Sequence, residues 1–241
     1  MTDSVYFFVF NDKTKMCWSK ESSLTTFIVG MSACIYLYCR NKTSDRLYAI
    51  FFAFVLCMQF LEFLIWSDQP TTERDKTCKT APYHGRLNNA ASQVAALQNL
   101  LQPVVGGLLV LYFLSKSSAQ TRPLKLVVGM YGAAIVAWVI MKRMYKQKLC
   151  TRPLSNGRHL QWPWITEKVA GHAIWYGYFA TLAFVLVSML KIPGGKTMAG
   201  YLVATMLVSM SVYPFKKAMG SWWCVAAVGG PLLKAAFPDV P

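Results

Sequence analysis

Seven apolar runs occupy most of this chain, and together they dictate the solvent in which it folds. The runs are Leu24–Cys39, Leu47–Trp66, Ala90–Leu114, Leu126–Met141, Val169–Leu190, Met198–Phe215 and Ala218–Leu233. A helix needs roughly 17–25 residues to cross a bilayer. The second, third and fifth runs meet that length outright. The first, fourth and seventh need flanking residues such as Ser22, Lys125 or Lys142 to reach the interface. Gly229, Gly230 and Pro231 interrupt the seventh, an interruption that a spanning helix tolerates when its neighbours satisfy the freed backbone groups. Charged residues make up only 15% of the chain, against about a quarter in soluble domains.

A strand-built barrel fits the pattern poorly. Barrel strands alternate apolar and polar positions, whereas Tyr48–Leu56 and Leu182–Val187 are apolar on all sides. The expected fold class is therefore all-α, a polytopic transmembrane bundle of seven helices. Residues 24–233 would form the bundle, 1–23 an N-terminal segment and 234–241 a C-terminal tail. No signal peptide is expected, since Val5–Phe10 is too short for an apolar core and no basic stretch precedes it.

Seven crossings place the two termini on opposite sides. The N-terminal side then carries 16 of the 25 Lys and Arg residues, and the other side 9. Those nine are packed into far fewer residues, and the positive-inside rule concerns short loops beside the membrane. Density therefore predicts an outside or lumenal N-terminus and a cytoplasmic C-terminus. Cys78 and Cys150 both fall in polar segments on the N-terminal side. An oxidising compartment would allow a bond between them, and a reducing one would leave them as free thiols. The net charge of +15 does not indicate nucleic acid, because the basic residues are divided between two membrane faces and carry no recognition motif. Anionic lipid head groups are the expected partners.

Polar side chains inside hydrocarbon are costly and turn toward the bundle interior. Gln59, Glu62 and Trp66 share one helical face of the second run. Asn88, Ser92, Asn99, Gln102 and Gly106 make a stripe along the third, with Gln98 beside it and Pro103 expected to kink the helix. His172, Trp175 and Tyr176 open the fifth run, and Gly220-Ser221-Trp222-Trp223-Cys224 opens the seventh. Alternating directions bring Glu62, Ser92, His172 and Ser221 into one half of the bilayer, on the N-terminal side. These residues predict a polar vestibule there, lined by Gln59, Glu62, Ser92, Asn99, Gln102, His172 and Tyr176, with an apolar plug beyond. A carboxyl held away from water is either protonated or paired, and His172 is the natural partner for Glu62.

Plainer roles compete for the same residues. Intramembrane amides commonly do no more than bond to a neighbouring helix. Trp66, Trp175, Trp222 and Trp223 suit the interface, where indoles anchor helices. Catalytic motifs are missing. The three histidines are dispersed, and the chain has no His-Glu-x-x-His, no Gly-x-Ser-x-Gly and no Cys-x-x-Cys. No metal or cofactor is expected, retinal included, because Ala218–Leu233 contains no lysine.

The stretch Met58–Gln69, followed by Cys78, Asn88–Ser92 and Gln102-Pro103, and the later Gly220–Cys224, resembles an uncharacterised multi-pass family of large DNA viruses and some protists. The resemblance covers the second, third and seventh runs. It implies a membrane setting and no mechanism. Three expectations follow: a channel or transporter for a small ion such as the proton; a structural or assembly protein of a viral or organelle membrane; and a lipid-modifying enzyme. Small residues at Gly30, Gly129, Ala133, Gly177 and Gly200 would permit close contacts within one chain or in a homo-oligomer.

Overall fold

The computed structural model describes residues 19–69, 86–114, 118–144, 151–153, 160–161, 168–212 and 219–238. These hold seven helices: α1 (Lys20–Arg40), α2 (Thr43–Ser67), α3 (Arg86–Phe113), α4 (Ser118–Met144), α5 (Lys168–Met189), α6 (Gly195–Val212) and α7 (Met219–Ala236). Each overlaps one apolar run, with most bounds within a few residues of it; α4 begins eight residues before its run. Between α4 and α5, β1 (Arg152–Pro153) pairs antiparallel with β2 (Leu160–Gln161).

Four helical segments are long and apolar enough to cross a membrane: Lys20–Arg40, Thr43–Ser67, Leu87–Phe113 and Thr121–Met141. Ala173–Met189 is apolar and shorter. Helices α6 and α7 have 18 residues each, about 27 Å of rise, close to the roughly 30 Å of a hydrocarbon core. Helix α4 turns Leu126, Met130, Val136 and Ile140 outward. An apolar outer face of this kind suits lipid as solvent.

Helix ends follow from local chemistry. Ser19 caps α1 by accepting from the Ser22 N–H at 3.2 Å, the usual way to satisfy a first-turn donor. Asn41 ends α1 in the left-handed region at φ 65° and donates its N–H to Tyr38 O, a conformation asparagine tolerates. The chain reverses there and enters α2 at Thr43.

Helix α2 is the centre of the bundle. It packs on α1, α3 and α7, while α3 also meets α4 and α5, and α6 meets α5 and α7. Phe51, Phe52, Leu56, Met58 and Ile65 of α2 are wholly buried. Close approaches occur at glycines. A Cβ on Gly30 would lie 2.6 Å from Leu56 Cδ1, one on Gly107 would overlap Val128, and one on Gly230 would meet the Phe52 ring. Helix α7 runs helical through Gly229-Gly230-Pro231, the tolerance expected of a spanning helix. The glycine pair makes room for Tyr201 and Phe52. Helix α3 likewise continues through Pro103.

Candidate functional site

The predicted polar residues of α2 and α3 are all inside the bundle. Gln59, Glu62, Ser92, Asn99 and Gln102 are buried, and Asn88 and Gln98 with them. Two ties set the level of Glu62. At one, the Asn88 N–H donates to Asp68 Oδ2 at 2.8 Å. At the other, Gln98 Nε2 donates to the Phe54 carbonyl. The helices are antiparallel, so Glu62 lies between these ties, at the height of Ser92–Ala95. Ala91, Ala95 and Ala96 are buried, and such small side chains let backbones approach closely. Neither the oxygen nor the nitrogen of the Gln59 amide has a hydrogen-bond partner among the described residues. Gln102 continues the seam toward α5, its Oε1 accepting from the Tyr178 hydroxyl at 2.9 Å.

The N-terminal-side mouth of this seam is occupied by a segment that composition alone marked as polar loop. Thr151, just before β1, is wholly buried. Its N–H donates to Asn88 Oδ1 at 3.1 Å, and its carbonyl accepts from Asn88 Nδ2 at 2.9 Å. Gln69 Nε2 reaches the same carbonyl at 3.2 Å. The Ser92 hydroxyl lies 2.8 Å from Thr151 Oγ1 and 3.1 Å from Asn88 Oδ1. A side-chain amide pairing both backbone groups of one residue substitutes for a strand partner and leaves no polar backbone atom of Thr151 wanting. At this end, where a vestibule is expected, Asn88 and Ser92 are instead bonded to Thr151.

Helix α5 differs from expectation. Tyr176 is 74% exposed and does not line the seam. Tyr178 takes that place, and Trp175 is half-buried with its ring edge-on to Tyr178 at 5.1 Å. The reason is that α5 is apolar on every side, so its sequence carries little record of which face turns inward. Trp66 is half-buried, and its indole N–H is enclosed with no acceptor among the described residues. His172 lies in α5, and Trp222 and Trp223 lie in α7; their side chains are outside the described residues, as are Cys78 and Cys150. Cys34, Cys39 and Cys57 are free thiols. Among the described residues no group of His, Cys, Asp and Glu is placed to hold a metal ion.

At the opposite end lies a charged cluster that the sequence pattern concealed. Asp45, in the first turn of α2, is wholly buried. Arg40 grips it with two bonds, Nε to Oδ2 at 2.6 Å and Nη2 to Oδ1 at 2.9 Å. The same guanidinium donates to Lys234 O at 3.0 Å and Ala235 O at 3.4 Å, which are carbonyls of the last turn of α7. One arginine thus joins the α1–α2 turn to the negative end of the α7 dipole.

None of the protein-family models, curated proteins or solved structures compared with this chain matches it.

Proposed function

We propose that the chain is a multi-pass membrane protein that moves a small ion, the proton first among candidates, along the α2–α3–α5 seam. The observation that carries this reading is the complete burial of Glu62 on the face of α2 that also holds Gln59. An ionisable group at membrane depth is expensive and marks a pathway more often than a packing contact. Gln59 adds an amide with bonding capacity to spare, and the Gln102–Tyr178 pair offers a hydroxyl further in. Transfer along this seam is carried by water bridging Glu62, Gln59 and Gln102, since the Gln59 amide bonds to no described residue. The density of basic residues supports an outside or lumenal N-terminus and a cytoplasmic C-terminus.

The test is proton flux into liposomes carrying the purified protein, with a pH-sensitive dye inside. Glu62→Gln should abolish the flux, while Asp45→Asn, far from the seam, should leave it running in correctly folded protein. Equal flux from the wild-type chain and Glu62→Gln would remove Glu62 from the pathway.

A second reading has its own support. Asn88, Ser92 and Gln98 spend their hydrogen bonds on neighbouring segments, as packing residues do. On that reading the chain is a scaffold of a viral or organelle membrane, the setting the family resemblance implies. Co-purification with other membrane subunits, without flux, would favour it.

A further inference from the structure

We infer that the end of the bundle opposite the seam's mouth holds a binding site for one anionic phospholipid, between α2, α6 and α7. A cavity of about 210 Å³ lies there, walled by Tyr48, Thr197, Tyr201, Leu233, Lys234 and Phe237. Its surface is almost wholly apolar. Leu233 and Phe237 stand exposed on its outer side, where lipid would enter.

Among the described residues the charge beside this cleft is mostly basic. Lys234 is only 5% exposed; its ammonium donates to Pro238 O at 3.1 Å and sits 5.9 Å from the centre of the Tyr48 ring. An ammonium carries three donors, so it can serve a phosphate oxygen while keeping its contact to the chain. Two turns lie at the same end of the bundle. The α1–α2 turn brings Arg40, Lys42 and Arg46, and the α5–α6 turn brings Lys191 and Lys196. The two turns meet, because Gly194 is set so close to Ser44 that a Cβ on it would lie 2.6 Å from Ser44 Cβ. The carboxylate described at this end is Asp45, and Arg40 already holds it.

An apolar cleft opening beside a cationic rim is the complement of a phospholipid, with an acyl chain for the cleft and a phosphate for the rim. Free phosphate would leave the cleft unused. A zwitterionic head group would gain far less from the rim, since its own cation opposes it. The inference rests on the reading of the chain as a membrane protein and is independent of any role for Glu62.

The test uses the full chain in detergent micelles, doped with phosphatidylglycerol or with phosphatidylcholine, and reads Tm. Phosphatidylglycerol should raise Tm by several degrees more than phosphatidylcholine. Lys234→Gln should lose most of that difference, while Lys125→Gln, which removes the same charge from an exposed site elsewhere, should keep it. Leu233→Trp, which retains the charge and fills the cleft, should also lose it, and it serves if Lys234→Gln folds poorly. Equal effects of the two lipids would overturn the proposal. So would equal losses from Lys125→Gln and Lys234→Gln, which mean diffuse attraction, or an unchanged difference in Leu233→Trp. Alkaline carbonate extraction checks the premise separately. Protein released from membranes would sink both readings, whereas protein retained without a lipid preference would sink only the site.

Discussion

Two buried acidic residues, Glu62 and Asp45, illustrate how differently a bundle uses a carboxyl group. Asp45 is held by a two-pronged arginine whose spare donors cap another helix. Such a group is structural, and removing its partner leaves an uncompensated charge. We expect Asp45→Ala to destabilise the protein by about 2 kcal/mol, the scale of a lost hydrogen bond to a charged group. Arg40→Ala, which leaves the buried Asp45 without its partner, should cost more, about 3–5 kcal/mol, and the double variant much less than the sum, because the two act as one unit. Unfolding of the four proteins in detergent, followed by circular dichroism, gives the cycle. Asn88 works at the same scale through neutral bonds. Asn88→Ala should cost about 1–3 kcal/mol and release the segment it holds, so that Thr151→Cys, protected from a maleimide alone, reacts rapidly when combined with it.

At the scale of helices, contact distance is decided by glycine. A side chain on Gly107 would run into Val128, whereas one on Gly129, the residue after Val128 in α4, would meet nothing within 4 Å. The same substitution should therefore have opposite outcomes. Gly107→Ala should cost about 1–3 kcal/mol by overpacking and be partly rescued by Val128→Ala. Gly129→Ala should be neutral, or stabilising by up to about 1 kcal/mol through helix propensity. Melting curves of the three variants decide the matter, and equal losses at both glycines would contradict the packing described. The hydroxyls follow a similar economy. Thr205, Ser32 and Ser188 bond back to carbonyls of their own helices, which gives each hydroxyl an acceptor within its own helix.

For the whole molecule, the parity of crossings is the sharpest consequence. Four of the helices are long and apolar enough to cross a membrane, and four crossings alone would bring both termini to one side. Seven bring them to opposite sides. Tags at the two ends of the chain, probed by protease on sealed vesicles, should show one cleaved and one protected. Two tags with the same fate would mean that an odd number of helices among α5, α6 and α7 fails to cross.

Helix number and approximate bounds were legible in the residues because hydrocarbon leaves a spanning chain almost no choice: every backbone polar group must be satisfied within its own helix, so an apolar run of sufficient length reads as one. The inward face of α2 and α3 was legible for a related reason, since Gln59, Glu62, Ser92, Asn99 and Gln102 are too costly to turn toward lipid. That logic fails where a helix is apolar all round. Tyr176 and Tyr178 are equivalent by composition, and packing against α3 chose the second. It fails also for contacts between distant segments. Nothing local to Thr151 announces that it will close the α2–α3 mouth, and nothing local to Arg40 announces that it will cap a helix through a carbonyl 195 positions later. Burial cost is a property each residue carries with it, whereas the choice of partner depends on which surfaces meet once the helices have assembled.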